Sequence, residues 1–196
     1  MIATSIFSLL SVALYASISA TVEATGTATA ESEIQQSLRD VMREITSEVQ
    51  LAAAENDPTL VTPLFGLQVN DVAGVPSSIT FQIPTDNSGV NWTRPITYVF
   101  LNEDADGDAR LDPGEDANND LALTRRIMRQ EDINNDGDTN DPNEVRQIAS
   151  ANDISGVQFV FDGAALQVTL AASKQPHQNR NQAITATLTG NVFLMN

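Results

Sequence analysis

The chain has 196 residues and a formal net charge of −16, from 26 acidic and only 10 basic side chains. So acidic a surface repels nucleic acid, because phosphate binding needs Lys and Arg to displace counterions, and it repels anionic lipid headgroups too. Cysteine is absent, which excludes disulfides, thiolate zinc sites and cysteine nucleophiles.

The first charged side chain is Glu23. The run before it, MIATSIFSLLSVALYASISA, matches the roughly 20 helical residues that cross a bilayer. Its Ser and Thr hydroxyls can bond to carbonyls of the same helix. Ala16, Ser17, Ser19 and Ala20 resemble a signal-peptide cleavage region, but such peptides open with a positive segment, and the first basic residue here is Arg39. Residues 1–26 therefore read as a membrane-spanning half-helix. Residues 27–56 continue it as an amphipathic half. Ile34, Leu38, Val41, Ile45, Val49 and Ala52 fall at spacings of three or four, on one face. Arg39, Asp40, Arg43, Glu44 and Glu48 occupy the other faces. Asp40–Arg43 is a favourable pair, whereas Arg39–Arg43, Asp40–Glu44 and Glu44–Glu48 oppose it. Such a helix depends on burying its stripe. Asn56-Asp57-Pro58 is predicted to stop it. One helix to that point would be roughly 80 Å long, with Gly26, among Thr25, Thr27 and Thr29, the expected site of a kink or local melting.

Beyond Pro58 the pattern alternates. Residues 64–69, 78–83 and 96–101 read as strands, punctuated by Pro76, Pro84 and Pro95. Residues 121–128 and 145–149 follow, separated by acidic segments. Residues 157–161 and 166–170 flank Asp162-Gly163 and read as a hairpin. Residues 184–188 and 191–195 form a last strand, bulged at Gly190. Residues 57–196 thus predict one β-rich domain, an antiparallel sheet with the amphipathic half-helix laid on it. The fold class is α+β.

Two acidic loops, at 102–120 and 131–144, carry the candidate chemistry. In the first, Asp104, Asp106 and Asp108 stand at positions 1, 3 and 5 of a 12-residue calcium loop, with the Arg110 carbonyl, Asp112 and Glu115 at positions 7, 9 and 12. Alternating hard oxygen ligands are what a calcium ion takes as the chain curls around it. Position 6, a glycine in the EF-hand pattern, is Ala109. In the second, Asp132, Asn134 and Asp136 take positions 1, 3 and 5, Gly137 falls at 6, and Asp138 and Asn140 at 7 and 9. Its only glutamate, Glu144, comes one residue late. Both loops also fit plain solvated turns, since Asp-Gly and Asn-Asp pairs form turns readily. Fourteen carboxylates lie between Glu103 and Glu144, against four arginines. Calcium would relieve their repulsion.

Catalytic chemistry is not visible in the sequence. His177, the one histidine, sits in a polar loop-like run, and there is neither a GxSxG elbow nor a glycine-rich phosphate loop. An enzyme is not expected. Asn91-Trp92-Thr93 matches a glycosylation sequon, a pattern short enough to arise by chance, and Trp92 reads as a packing residue.

With the apolar opening MIATSIFSLLSVALYASISATVEAT, the amphipathic helix to Glu55 and the β-rich remainder, the chain resembles the type IV pilin and type II secretion pseudopilin superfamily, and within it the larger minor subunits. LTRRI, VRQIASANDISGVQFVF and ITATLTG resemble sheet segments of those subunits. The resemblance implies a subunit held in the inner membrane and then extruded into a helical filament, a surface pilus or a periplasmic pseudopilus. Its partners would be copies or homologues of itself, packed through the N-terminal helices. It also fits calcium in the globular domain. Pilins carry Glu at the fifth position, where this chain has Ser5, so the sequence is expected to begin inside the mature protein. The alternative is a membrane-tethered, calcium-binding adhesin that does not polymerise.

Overall fold

The computed structural model describes residues 2–52, 66–70, 77–85, 91–103, 111–112, 114–116, 125–134, 136, 138–139, 141–149, 154–174 and 183–194. Helix α1 (Ile2–Val49) runs for 48 residues without interruption, about 70 Å at 1.5 Å per residue. The local melting expected at Gly26 is absent, since the helix continues through it. Hydroxyls on both sides are satisfied inside the helix: Thr25 Oγ1 donates to the Thr21 carbonyl at 2.8 Å and Thr27 Oγ1 to that of Glu23 at 2.9 Å. The helix ends at Val49, short of the predicted stop, and Asn56-Asp57-Pro58 lies outside the described residues. The end comes from tightening. The Leu51 amide donates to the Glu48 carbonyl at 3.0 Å and the Ala52 amide to that of Val49 at 2.9 Å. These three-residue bonds turn Ala52 into the core.

The strands are β1 (Gln68–Asn70), β2 (Ser78–Phe81), β3 (Ile96–Asn102), β4 (Arg125–Glu131), β5 (Val145–Ala149), β6 (Ile154–Phe161), β7 (Ala165–Lys174) and β8 (Ile184–Phe193). They form two antiparallel sheets, β1-β2-β3-β4-β5 and β6-β7-β8, where one was expected. Alternation marks which side of each strand is apolar, and two sheets around one core satisfy it as well as one sheet does. The helix lies on β7 and β8 and reaches β5, while β6 packs against β1, β3 and β4. All six stripe residues from Ile34 to Ala52 are buried, in one cluster with Phe81, Ile96 and Tyr98 of the larger sheet and Phe159, Leu166 and Val192 of the smaller. The fold is therefore α+β, as predicted.

Strand limits differ in places. The fourth strand extends to Glu131, beyond the predicted 121–128, of which 121–124 lie outside the described residues. The β6–β7 turn is as read from Asp-Gly. The Asp162 carboxylate accepts the Ala164 and Ala165 amides at 2.9 and 2.7 Å, which holds its pKa below the usual value, and Gly163 takes φ 95°. Trp92 is half-buried in a bridge to Pro84. The bulge expected at Gly190 is not there: β8 pairs with β7 in register from Ile184 to Phe193. The glycine at 190 faces the helix instead. A Cβ there would lie 3.0 Å from Met42 Sδ of the helix, so the missing side chain lets helix and sheet approach closely.

The like-charged carboxylates of the helix find their partners on the sheet. Glu48 accepts hydrogen bonds from Arg129 Nε at 3.0 Å and from the Tyr98 hydroxyl at 2.9 Å. Arg129 also pairs with Glu131 at 2.9 Å, and Arg146 with Glu44 at 2.7 Å. Nearer the N-terminus, Lys174 pairs with Glu33 at 2.9 Å. Burial opposes the Arg129 charge, but the bonds and charges of Glu48 and Glu131 outweigh it and raise its pKa. Tyr98 is fully buried and stacked on Phe81, with ring centroids 5.8 Å apart. Burial first, then the charge and hydrogen bond of Glu48, push its phenol well above the ordinary 10.0.

The sign of the resulting pH effect is fixed. Above pH 10 the unfolded chain releases the Tyr98 proton and the folded chain keeps it, so stability falls as pH rises. Tyr98→Phe is expected to flatten this alkaline decline while lowering stability near pH 7 by about 1–2 kcal/mol through the lost hydrogen bond. Urea denaturation of both proteins at pH 7 and at alkaline pH checks both effects. An unchanged alkaline slope would mean that another group governs it.

Candidate functional site

Two regions of the chain have surfaces that packing does not explain. The first is the N-terminal half of α1. Phe7 is 73% exposed, Leu9 71% and Tyr15 77%, and Leu10, Val12 and Leu14 are similarly bare. Among the described side chains the first buried one is Ala30. A half-helix so apolar leaves on the order of 10 kcal/mol of burial free energy unrealised, at about 2 kcal/mol for each large side chain. It is long and apolar enough to cross a membrane, and none of its most apolar window is buried in the body. It is therefore not the core helix of a soluble domain; both a membrane anchor and a signal sequence have these properties. Its polar atoms suit hydrocarbon. Ser11 Oγ donates to the Phe7 carbonyl and Thr21 Oγ1 to that of Ser17, each at 2.9 Å, so these two hydroxyls do not need water.

The second region is the loop joining β4 to β5. Carboxylate oxygens of Asp132, Asp136 and Glu144 lie within 4.8 Å of one another. These three were expected as ligands from spacing alone. Glu144, one residue late in the 12-residue pattern, still delivers its carboxylate inward. It is 2% exposed. Its Oε1 accepts the Ile133 and Asn134 amides at 3.0 and 3.1 Å, and its Oε2 the Asp141 amide at 3.4 Å. Its backbone carbonyl accepts the Glu131 amide at 2.9 Å, closing the hairpin.

Asn134 donates through Nδ2 to Asp136 at 3.1 Å and also to Asp141. The Asp138 amide donates to Asp136 Oδ1 at 3.1 Å. Asn143 takes φ 78°, in the left-handed region, as the loop turns back. Asp141 was not among the expected ligands; its carboxylate shares the Asn134 amide with Asp136 but is not one of the three that lie together. Its signal was the acidic run itself, and a fixed 12-residue template passes over it. Asn140 lies outside the described residues. So do Asp104, Asp106, Asp108 and Arg110 of the first loop. What is described there is a turn in which the Asp112 amide donates to Glu115 Oε2 and the Glu115 amide to the Asp112 carbonyl, each at 3.0 Å. His177 is likewise outside the described residues.

A long N-terminal apolar helix on antiparallel sheets is compatible with a pilin-like architecture. The chain matches no protein-family model, no curated protein and no solved structure.

Proposed function

We propose that the protein is a structural subunit of a type IV pilus-like filament, held in a membrane by the first half of α1 before assembly and afterwards packed through that half against neighbouring subunits. One observation carries this reading: a single unbroken helix is buried in the body along one half and bare and apolar along the other. Cleavage near residue 20 would discard most of that bare half. A tether needs no such rigid continuation into the core, whereas a subunit that transmits its position from helix to body does. Moving the bare half from lipid to sister helices keeps its apolar surface out of water, so assembly loses little hydrophobic free energy.

The test is electron microscopy of sheared surface material, alongside fractionation, from cells producing the full chain or a chain lacking residues 1–26. Filaments are expected from the first. The second should give a soluble body and none. Full-length protein confined to the membrane fraction, with no filaments, would favour the tethered calcium-binding adhesin instead.

Calcium is part of the proposal. Three carboxylates so close together repel one another, and a hard cation with oxygen ligands relieves that repulsion. An ion that binds only the folded loop at 100 times its dissociation constant adds about 2.7 kcal/mol. Asp132→Asn with Asp136→Asn should abolish the calcium-dependent rise in melting temperature and leave the melting temperature in chelator unchanged or slightly higher. Glu144→Gln should lower it in both conditions, because Glu144 also caps loop amides. Equal losses with and without calcium for the double variant would remove the metal from the account.

A further inference from the structure

Where helix α1 meets the stem of the β4–β5 loop, the contacts are charged. Arg129 of β4 and Arg146 of β5 are paired directly across the ladder, and like charges placed opposite one another destabilise a strand pair. On the helix, Glu44 and Glu48 stand about one turn apart and repel as well. The two repulsions offset each other in one quartet. Arg146 pairs with Glu44 at 2.7 Å and reaches Glu48 at 3.9 Å, while Arg129 Nε binds Glu48 at 3.0 Å. Each set of like charges is held together by the other.

The stem leads straight into the acidic loop. Glu131, bonded to Arg129 at 2.9 Å, immediately precedes Asp132, and its amide donates to the Glu144 carbonyl at 2.9 Å. Arg146 follows Glu144 by two residues. The carboxylates of Asp132 and Glu144, which lie with that of Asp136 within 4.8 Å, are therefore carried by the same two strand ends that the helix clamps. β5 stands at the edge of its sheet, paired with β4 alone and across a register shift at Ile127/Met128. Arg146 and Glu44 tie it to the helix as well.

We propose that calcium in the β4–β5 loop and the seating of α1 on the stem are coupled, each strengthening the other, so that the cation governs how firmly the body grips its helix. This rests on the calcium reading above and adds the regulation of that site. An ion that draws Asp132 and Glu144 together closes the strand ends and holds Arg129 and Arg146 side by side, the arrangement that receives Glu48 and Glu44. With the helix carboxylates in place, the two arginines no longer push the stem apart, and less reorganisation is left for the ion to impose. Glu44 and Glu48 are thus positioning residues for the site, acting through the arginines. Linkage makes the effect reciprocal: whatever the helix adds to calcium affinity, calcium adds to the helix seat.

The test is calorimetric titration of calcium into the full-length protein in neutral detergent, at about 0.15 M salt to screen distant charges. The binding component that Asp132→Asn with Asp136→Asn removes reports the loop. Glu44→Gln with Glu48→Gln is expected to weaken that component about five-fold, the low end of usual coupling factors, because Arg146 is 54% exposed. Glu33→Gln with Asp40→Asn is the control. It takes the same charge from the same helix and breaks the 2.9 Å pair with Lys174, yet leaves the stem untouched, so the affinity should stay within about two-fold. In the reverse direction, calcium should slow amide exchange over Glu44–Val49 by about the same five-fold factor, and not in the Asp132→Asn, Asp136→Asn protein. Equal losses in the two helix variants would reduce the effect to general charge or loosening and overturn the coupling. An affinity unchanged by Glu44→Gln with Glu48→Gln would overturn it too, with the calcium reading left standing. A parent protein without the loop component would remove both.

Discussion

Replacing Arg129 by methionine is expected to destabilise the body by about 2–3 kcal/mol, a large effect for one polar side chain. Breaking a buried ion pair from one side costs about 3–5 kcal/mol, because the abandoned charge stays desolvated. Here the loss falls at or below the bottom of that range, since Arg129 is 15% exposed and Glu48 23%. The loss has two parts. Glu131, bonded to Arg129 at 2.9 Å, is left with its carboxylate 14% exposed and its ion pair gone. Glu48 keeps Tyr98 and a distant Arg146 at 3.9 Å. Arg43→Ala is the matching control. Its 3.5 Å pair with Asp40 is solvated, with Arg43 82% exposed, so the change should stay within about 0.5 kcal/mol. A double-mutant cycle of Arg129→Met with Glu48→Gln, read by urea denaturation, should give a coupling above about 1 kcal/mol. Additive losses would show that the two side chains act independently.

That ion pair also shows what the sequence could not convey. Read alone, Asp40, Glu44 and Glu48 are like charges on successive helical turns. Nothing local indicates that Arg129, 81 positions beyond Glu48, or Arg146 will neutralise Glu48 and Glu44. Pairing across sequence distance is set by sheet register, and alternation in one strand carries no information about its neighbour. The division into two sheets was hidden for the same reason. By contrast, the helix stripe was fully legible, because burial along a helix follows a period that a single segment contains. The Asp162-Gly163 turn was legible because its geometry is dictated by the residues within it.

The β4–β5 loop lies between these cases. Asp132, Asp136 and Glu144 were readable as a set from spacing. What spacing could not reveal is that Glu144 is buried and spends both oxygens on loop amides. A carboxylate that caps backbone donors holds the loop in shape by itself. Gly190 was misread from the opposite direction. A glycine in a strand suggests a bulge, but what this one faces closely, Met42, is on another element.

The largest effect expected from any substitution falls on the bare half of α1. Leu10→Arg together with Leu14→Arg places two guanidinium groups in the middle of the apolar run, at about 2.5–3.5 kcal/mol each on insertion scales. Together they should reduce membrane partitioning by roughly four orders of magnitude. Leu10 is 64% exposed and Leu14 63%, and the first described burial begins at Ala30, so the body has nothing to lose. Flotation of the full-length variant with liposomes should therefore show it in the aqueous fraction. Its melting temperature, followed by circular dichroism of the strands, should match that of the parent chain. The two readouts separate the possible outcomes. Loss of flotation at constant melting temperature assigns this half-helix to lipid. A fall in melting temperature with flotation retained would mean that Leu10 and Leu14 pack on protein, and the division of the helix into a bare and a buried half would be wrong.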